Sequence, residues 1–149
     1  MKKLNVLIST FFGCGHLTKI PGTISSLITT IIIYIIYEHH GYKDLKYSLI
    51  FFVILFLYSF YAVKDSESEF KNKDPKQIVI DEVLGQAMPL IFLLYLNQNN
   101  YLNIQIEIYY ALSFLFFRFF DIIKPFPVSY FDKNFKNYFG IIMDDIMAG

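Results

Sequence analysis

The sequence predicts an all-α fold, a multi-pass membrane helical bundle with about four apolar segments and acidic loops on the cytoplasmic side. The 149 residues are 55% hydrophobic with a mean hydropathy of +0.43, more than the surface of a soluble domain usually tolerates. Uncharged apolar stretches recur along the chain, and the basic residues gather on one side of them. We therefore expect a single membrane domain over residues 1–149.

The strongest candidate span covers residues 47–63, which read YSLIFFVILFLYSFYAV without a charge. Residues 24–37 form a second uncharged segment. Two weaker segments, residues 83–96 and 108–120, are shorter than the roughly 20 residues of a full crossing. Each of them alone could be a buried helix of a soluble protein, but four in one short chain favour a membrane.

The distribution of Lys and Arg predicts the orientation, because cytoplasmic loops accumulate these residues. The N-terminal region, the middle loop and the tail share one side and hold Lys2, Lys3, Lys19, Lys64, Lys71, Lys73, Lys76, Arg118, Lys124, Lys133 and Lys136. The first outer loop holds Lys43 and Lys46, and the second, residues 97–107, holds none. We expect both termini in the cytoplasm, with His39 and His40 in a solvated outer turn without a catalytic role.

Composition excludes several classes of protein. The formal net charge is zero and no long run of basic residues occurs, which argues against nucleic acid as a partner. Cys14 is the only cysteine, so an intrachain disulfide and a cysteine-based zinc site are excluded. The N-terminus imitates a secretory signal, but GCGH follows at residues 13–16 without an Ala-x-Ala-like site, and we expect no cleavage.

Five carboxylates fall at or near the cytoplasmic ends of apolar segments: Asp81, Glu82, Asp121, Asp144 and Asp145. Carboxylates at the edge of the hydrocarbon are costly unless they are paired or bind a cation, so this group is a candidate catalytic and metal site. Hard oxygen ligands select magnesium or calcium, and magnesium commonly combines one or two carboxylates with phosphate oxygens of a substrate. The pattern indicates magnesium-assisted phosphoryl chemistry, although each adjacent pair alone could be a solvated turn.

The segment FRFFDIIKP places Arg118, Asp121 and Lys124 at intervals of three, on one face of a helix that Pro125 ends. Arg118 offers a planar fork to phosphate oxygens and Lys124 a point charge, so both are candidate substrate contacts. Asp121 could bind metal or hold the two cations in place. An ordinary salt bridge at a helix end is the alternative.

The segment GCGHLTKIPGTISS, residues 13–26, combines glycines with Lys19 and Thr23 just before an apolar segment. Glycine lets backbone N–H groups approach a phosphate, and the first turn of the next helix presents further donors. Lys19 and Thr23 are therefore candidate substrate contacts. A simple turn and helix cap at Pro21 remains the alternative.

Four short blocks carry a resemblance to a known family. They lie at residues 13–27, around PGT and SSL; 81–86, DEVLGQ; 117–127, FRFFDIIKPFP; and 140–149, GIIMDDIMAG. Taken in this order over most of the chain, they resemble the phosphatidylglycerophosphatase A family of small membrane-embedded phosphatases. Ser25 stands where the family pattern usually has Gly, and the pattern continues past residue 149 into another apolar helix. Set against the resemblance, the chain is expected to be either a truncated form or fragment of a longer protein or a naturally short member without this helix.

The resemblance implies magnesium-dependent hydrolysis of phosphatidylglycerophosphate to phosphatidylglycerol and phosphate, at the cytoplasmic face of a bacterial inner membrane. It implies that the five carboxylates form the acidic site and that Arg118 and Lys124 contact phosphate. Attack by water and an aspartyl-phosphate intermediate both stay open.

Three other functions fit part of the pattern. A phosphatase of another membrane lipid phosphate would use the same carboxylates, and rates on purified lipids would distinguish it. A divalent-cation transporter would place acidic residues at the membrane midplane, whereas here they gather at one face. A non-catalytic assembly factor would keep its function when the carboxylates are neutralised.

Overall fold

The computed structural model describes residues 2–39, 44–66, 69–70 and 75–149, and these form α-helices without a β-strand. The helices are α1 (Lys2–Ser9), α2 (Pro21–Tyr34), α3 (Leu45–Ser66), α4 (Ile80–Gln98), α5 (Ile106–Ile123), α6 (Val128–Asn134) and α7 (Tyr138–Ala148). The prediction of an all-α fold is confirmed. His40, Lys43, Lys71 and Lys73, which the charge pattern used, lie outside the described residues.

Two helical stretches are long and apolar enough to cross a membrane. The first is Pro21–His39, 19 residues in which α2 continues into a π-helical turn at Ile35–His39. Pro21 is its first residue, where the fixed φ of proline suits a helix start and the missing N–H costs nothing. The second is α3, with 22 residues. The segments predicted at 83–96 and 108–120 lie inside α4 and α5; their helical state is confirmed, and their crossing of a membrane stays a prediction.

Helix α3 turns an apolar surface outward. Phe51, Ile54 and Leu57 are 67%, 60% and 63% exposed. A core helix of a soluble protein would bury such side chains, since each gains on the order of 1.5–3 kcal/mol by leaving water. The outward surface of α3 is therefore apolar in the manner of a helix that contacts lipid.

Helix α4 lies at the centre and packs against α2, α3, α5 and α7. Its close approach to α7 depends on Gly85, where an added Cβ would lie 2.5 Å from the Asp145 carbonyl oxygen and 2.6 Å from the Phe117 ring. Such distances leave no room for a side chain. Glycine thus lets α4, α5 and α7 meet at the level of the acidic residues.

The loop between α1 and α2 packs on the segment that leads into α4. The Val79 N–H donates to the Ser9 carbonyl oxygen at 2.9 Å. Gly15 lies so close to the Gln77 carbonyl that a Cβ would collide with it. These backbone contacts hold the two connections side by side at the end of the bundle where α4 begins.

Candidate active site

A cavity of about 470 Å³ opens at this end of the bundle. Its wall contains all nine residues that the sequence singled out as catalytic, metal-binding or substrate-binding: Lys19, Thr23, Asp81, Glu82, Arg118, Asp121, Lys124, Asp144 and Asp145. They come from the loop before α2 and the first turn of α2, from the start of α4, from the end of α5 with its C-cap residue, and from α7. Residues distant in sequence are thus neighbours in space, and their chemical roles stay predictions.

Three of the five carboxylates form a compact cluster. Asp81 and Glu82 occupy the first turn of α4 and Asp145 lies on α7, and one oxygen of each lies within 4.8 Å of the others. Asp81 and Asp145 are buried. The buried Oδ1 of Asp81 and Oε2 of Glu82 have no hydrogen-bond partner in the described part of the chain. Oxygen ligands of this kind, which lack partners and carry negative charge, suit a hard divalent cation.

The surroundings of Asp145 on α7 disfavour a negative charge that no cation balances. Burial, with the nearby charges of Asp121 and Glu82, raises the pKa of the Asp145 carboxyl well above its usual range. Asp145 also lies near the C-terminal end of α7, where the helix dipole disfavours a negative charge. A divalent cation would offset both effects and hold the carboxylate ionised.

Asp144 faces a different partner from its neighbour. Lys124 Nζ donates to Asp144 Oδ2 and to Asp132 Oδ1, each at 2.6 Å. The other oxygen of Asp144 accepts the Asp145 N–H at 3.1 Å. Burial alone would lower the pKa of Lys124, but these two carboxylates raise it well above its usual value. Lys124 therefore ties α6 to α7 as a protonated cation.

Arg118 and Asp121 form an ion pair one turn apart on α5, with side chains only 15% and 13% exposed. The pair fits both the interpretation in which Asp121 positions Arg118 and the alternative of an ordinary salt bridge at a helix end, whereas Lys124 pairs with Asp132 and Asp144 instead. The buried Nε of Arg118 has no hydrogen-bond partner among the described residues. Because a buried N–H without a partner is costly, this donor is suited to an anion that enters the cavity.

The segment of residues 13–26 contributes fewer donors to the cavity than its sequence indicated. The hydroxyls of Ser25 and Ser26 are buried and donate to the Gly22 carbonyl oxygen at 2.9 and 2.8 Å. They are thus occupied within α2, whereas Lys19 and Thr23 line the cavity. Gly22 lies against the Glu82 carboxylate, with no space for a Cβ between them.

Three polar residues of the cavity wall were missed by the sequence analysis: Lys76, Asp132 and Lys136. Asp132 lies in an ordinary polar stretch of α6 and reaches Lys124 only because the chain reverses after α5. Nothing in the local sequence signals that contact. Lys76 was counted for topology alone, since a lone Lys in a loop carries no spacing information.

A cavity of carboxylates, Arg and Lys indicates the class of phosphohydrolases, and two helices long and apolar enough to cross a membrane suggest that the protein associates with one. Residues 7–149 match the sequence model of the family described as Phosphatidylglycerophosphatase A. This chain is a member of that family, as its four sequence blocks predicted.

Two named relatives carry the name of the family, and a third carries the name of another lipid phosphatase. The chain is 33% identical to the phosphatidylglycerophosphatase A of Haemophilus influenzae over 99% of its own length and 86% of the relative's. It is 29% identical to that of Escherichia coli, covering 96% and 76% of the two chains. It is also 35% identical to a protein of Bacteroides thetaiotaomicron named as a candidate phosphatidylinositol-3-phosphatase, covering 98% and 87%. No solved structure matches the chain.

Proposed function

We propose that this protein is a magnesium-dependent phosphatidylglycerophosphatase, which hydrolyses phosphatidylglycerophosphate to phosphatidylglycerol and phosphate during phospholipid synthesis. The observation that carries the proposal is the cluster of Asp81, Glu82 and Asp145 beside Arg118 in one cavity. A carboxylate cluster suited to a cation, next to an Arg whose side chain is only 15% exposed, suits the binding of a phosphate monoester. The family and two of its named relatives support the same substrate.

Asp81, Glu82 and Asp145 would hold the magnesium ion. The donor set fits, because it consists of carboxylate oxygens and two of them lack any other partner in the described structure. When bound, the ion would neutralise phosphate charge and polarise a phosphoryl oxygen.

The remaining residues would bind and orient the phosphate. Arg118 lines the cavity and is paired with Asp121, and its buried Nε has no partner among the described residues. Lys124 stays protonated between Asp132 and Asp144 and adds fixed positive charge to the wall. Catalysis would then come mainly from electrostatic positioning in a site whose groups are already oriented.

The proposed location is a bacterial inner membrane, with several crossings and the active site facing the cytoplasm. The outward apolar surface of α3 and the one-sided distribution of Lys and Arg support it. Acyl chains of the substrate would lie along the apolar helices while the phosphate enters the cavity. Treating sealed, oriented vesicles with a membrane-impermeant, amine-reactive label would test which side of the membrane Lys133 and Lys46 face.

Removal of magnesium is expected to abolish turnover. Detergent-solubilised protein should release phosphate from phosphatidylglycerophosphate with magnesium present, lose at least about 99% of that rate in EDTA, and regain it when magnesium is restored. Phosphate release is measured colorimetrically, and the thermal transition is followed in parallel to exclude unfolding. A full rate in EDTA would contradict the metal site.

A second substrate class is favoured by one observation, the relative at 35% identity named as a candidate phosphatidylinositol-3-phosphatase. The same cluster and Arg118 would serve a monoester on an inositol ring. Comparing kcat/KM on phosphatidylglycerophosphate and phosphatidylinositol 3-phosphate in one detergent decides between them. We expect the first to be preferred.

Gly22→Ala is expected to impair turnover while leaving the fold intact. The new methyl group would collide with the carboxylate of Glu82, which is the end of a flexible side chain and can move aside. The displaced carboxylate would no longer meet Asp81 and Asp145, so we expect roughly a tenfold loss of kcat and a higher magnesium requirement. Magnesium titrations of the rate, with circular dichroism, measure both effects. A wild-type magnesium dependence would contradict a role for Glu82 in the cluster.

A further inference from the structure

Five basic side chains line the cavity, and three of them are engaged by carboxylates. Arg118 pairs with Asp121, Lys124 bridges Asp132 and Asp144, and Lys136 lies 3.8 Å from Asp132. The other two, Lys19 and Lys76, form no ion pair with any carboxylate that the structure describes. Two cations of this polar cavity thus have no counter-charge among the described residues.

Lys19 and Lys76 come from the two connections that pack side by side. Lys19 lies in the loop before α2, and Lys76 lies next to Gln77, whose carbonyl contacts Gly15 of that loop. Both lysines are exposed, whereas Asp81 and Asp145 are buried. The cavity therefore has a buried part with a carboxylate cluster and an exposed part with two cations that no carboxylate in the described ranges neutralises.

We propose that Lys19 and Lys76 form a second phosphate subsite, which binds the phosphodiester of a lipid whose terminal monoester lies at the carboxylate cluster. This inference rests on the proposed function and adds a selection rule to it. The preferred substrates carry two phosphate groups, a diester next to the glycerol backbone and a monoester beyond it. A lipid with a monoester alone, such as phosphatidate, leaves both lysines without an anion.

The expected contribution is modest because both ammonium groups are solvated. Exposed ion pairs each contribute on the order of 0.2–1 kcal/mol, so two of them correspond to roughly a tenfold preference. Lys suits this part of the site, since a compact charge on a flexible stem can follow a headgroup without fixed geometry.

The test compares two double variants in dodecyl maltoside micelles, which carry no charge. Lys19→Gln/Lys76→Gln removes the subsite, and Lys3→Gln/Lys133→Gln removes the same charge from exposed positions outside the cavity. The ratio of kcat/KM for phosphatidylglycerophosphate to that for phosphatidate is measured for each. Binding of dihexanoyl phosphatidylglycerol, which has only the diester, is measured by calorimetry.

We expect the first double variant to lower the kcat/KM ratio and the affinity for dihexanoyl phosphatidylglycerol by roughly tenfold each, and the second to change neither. A ratio and an affinity within twofold of the wild type would overturn the subsite. Equal losses in both double variants would also overturn it, since they indicate general attraction to anionic lipid. If the wild type hydrolyses neither lipid, the proposed function fails, and the calorimetry alone still decides the subsite.

Discussion

Asp145→Asn is expected to reduce phosphate release by at least about a thousandfold. The side chain loses its charge and one of the three carboxylates that would hold the magnesium ion. Its shape is kept, and burial, which raises the pKa of the Asp145 carboxyl, disfavours the charge that the substitution removes. The variant should therefore fold as well as the wild type or better. Single-turnover assays and thermal unfolding measure the two quantities.

Asp144→Asn is the matched comparison, because the same change is made at the adjacent residue. An amide oxygen at position 144 can still accept the hydrogen bond from Lys124, so we expect only about a tenfold loss. Glu107→Gln, at the opposite end of α5, should leave the rate unaltered. The assignment of Asp145 to the cluster would be wrong if Asp144→Asn were the more damaging of the two.

The long helices were predictable because their apolar runs have few structural alternatives. Residues 47–63 became α3 and residues 24–37 became α2 with its π-helical turn, since a long uncharged run buries its backbone best as a helix. The shorter helices α1, α6 and α7 were not predicted as elements. Before α7, for instance, Asn137 accepts hydrogen bonds from Phe139 N and Gly140 N at 3.2 Å and so caps a helix that no long apolar run announces.

The sequence predicted which residues line the site, but it did not predict which of them pair with one another. Residue type and proximity to an apolar segment indicate which carboxylates gather at one end, and all five line the cavity. Whether a carboxylate meets a cation or another carboxylate depends on how α4, α5 and α7 pack, which Gly85 permits by its lack of a side chain. Adjacent residues such as Asp144 and Asp145 therefore have different partners that no spacing rule distinguishes.

Arg118→Lys is expected to lower kcat/KM by about a hundredfold without unfolding the protein. Lysine keeps the positive charge and can still pair with Asp121 from the same turn of α5. It lacks the planar fork, and with it the buried Nε that has no partner in the described structure. If Arg118 serves the phosphate, conserving its charge should not restore the rate.

Asp121→Asn separates the contribution of the Arg118 guanidinium from that of the carboxylate that orients it. It removes the partner of Arg118 but leaves the guanidinium, so the structure predicts mainly a higher KM from a less well oriented cation. Steady-state kinetics on phosphatidylglycerophosphate, with circular dichroism of each variant, measure both. If Arg118→Lys kept the wild-type rate, the pair of Arg118 and Asp121 would be only a salt bridge at a helix end. A kcat loss in Asp121→Asn as large as that of Asp145→Asn would instead place Asp121 among the metal ligands.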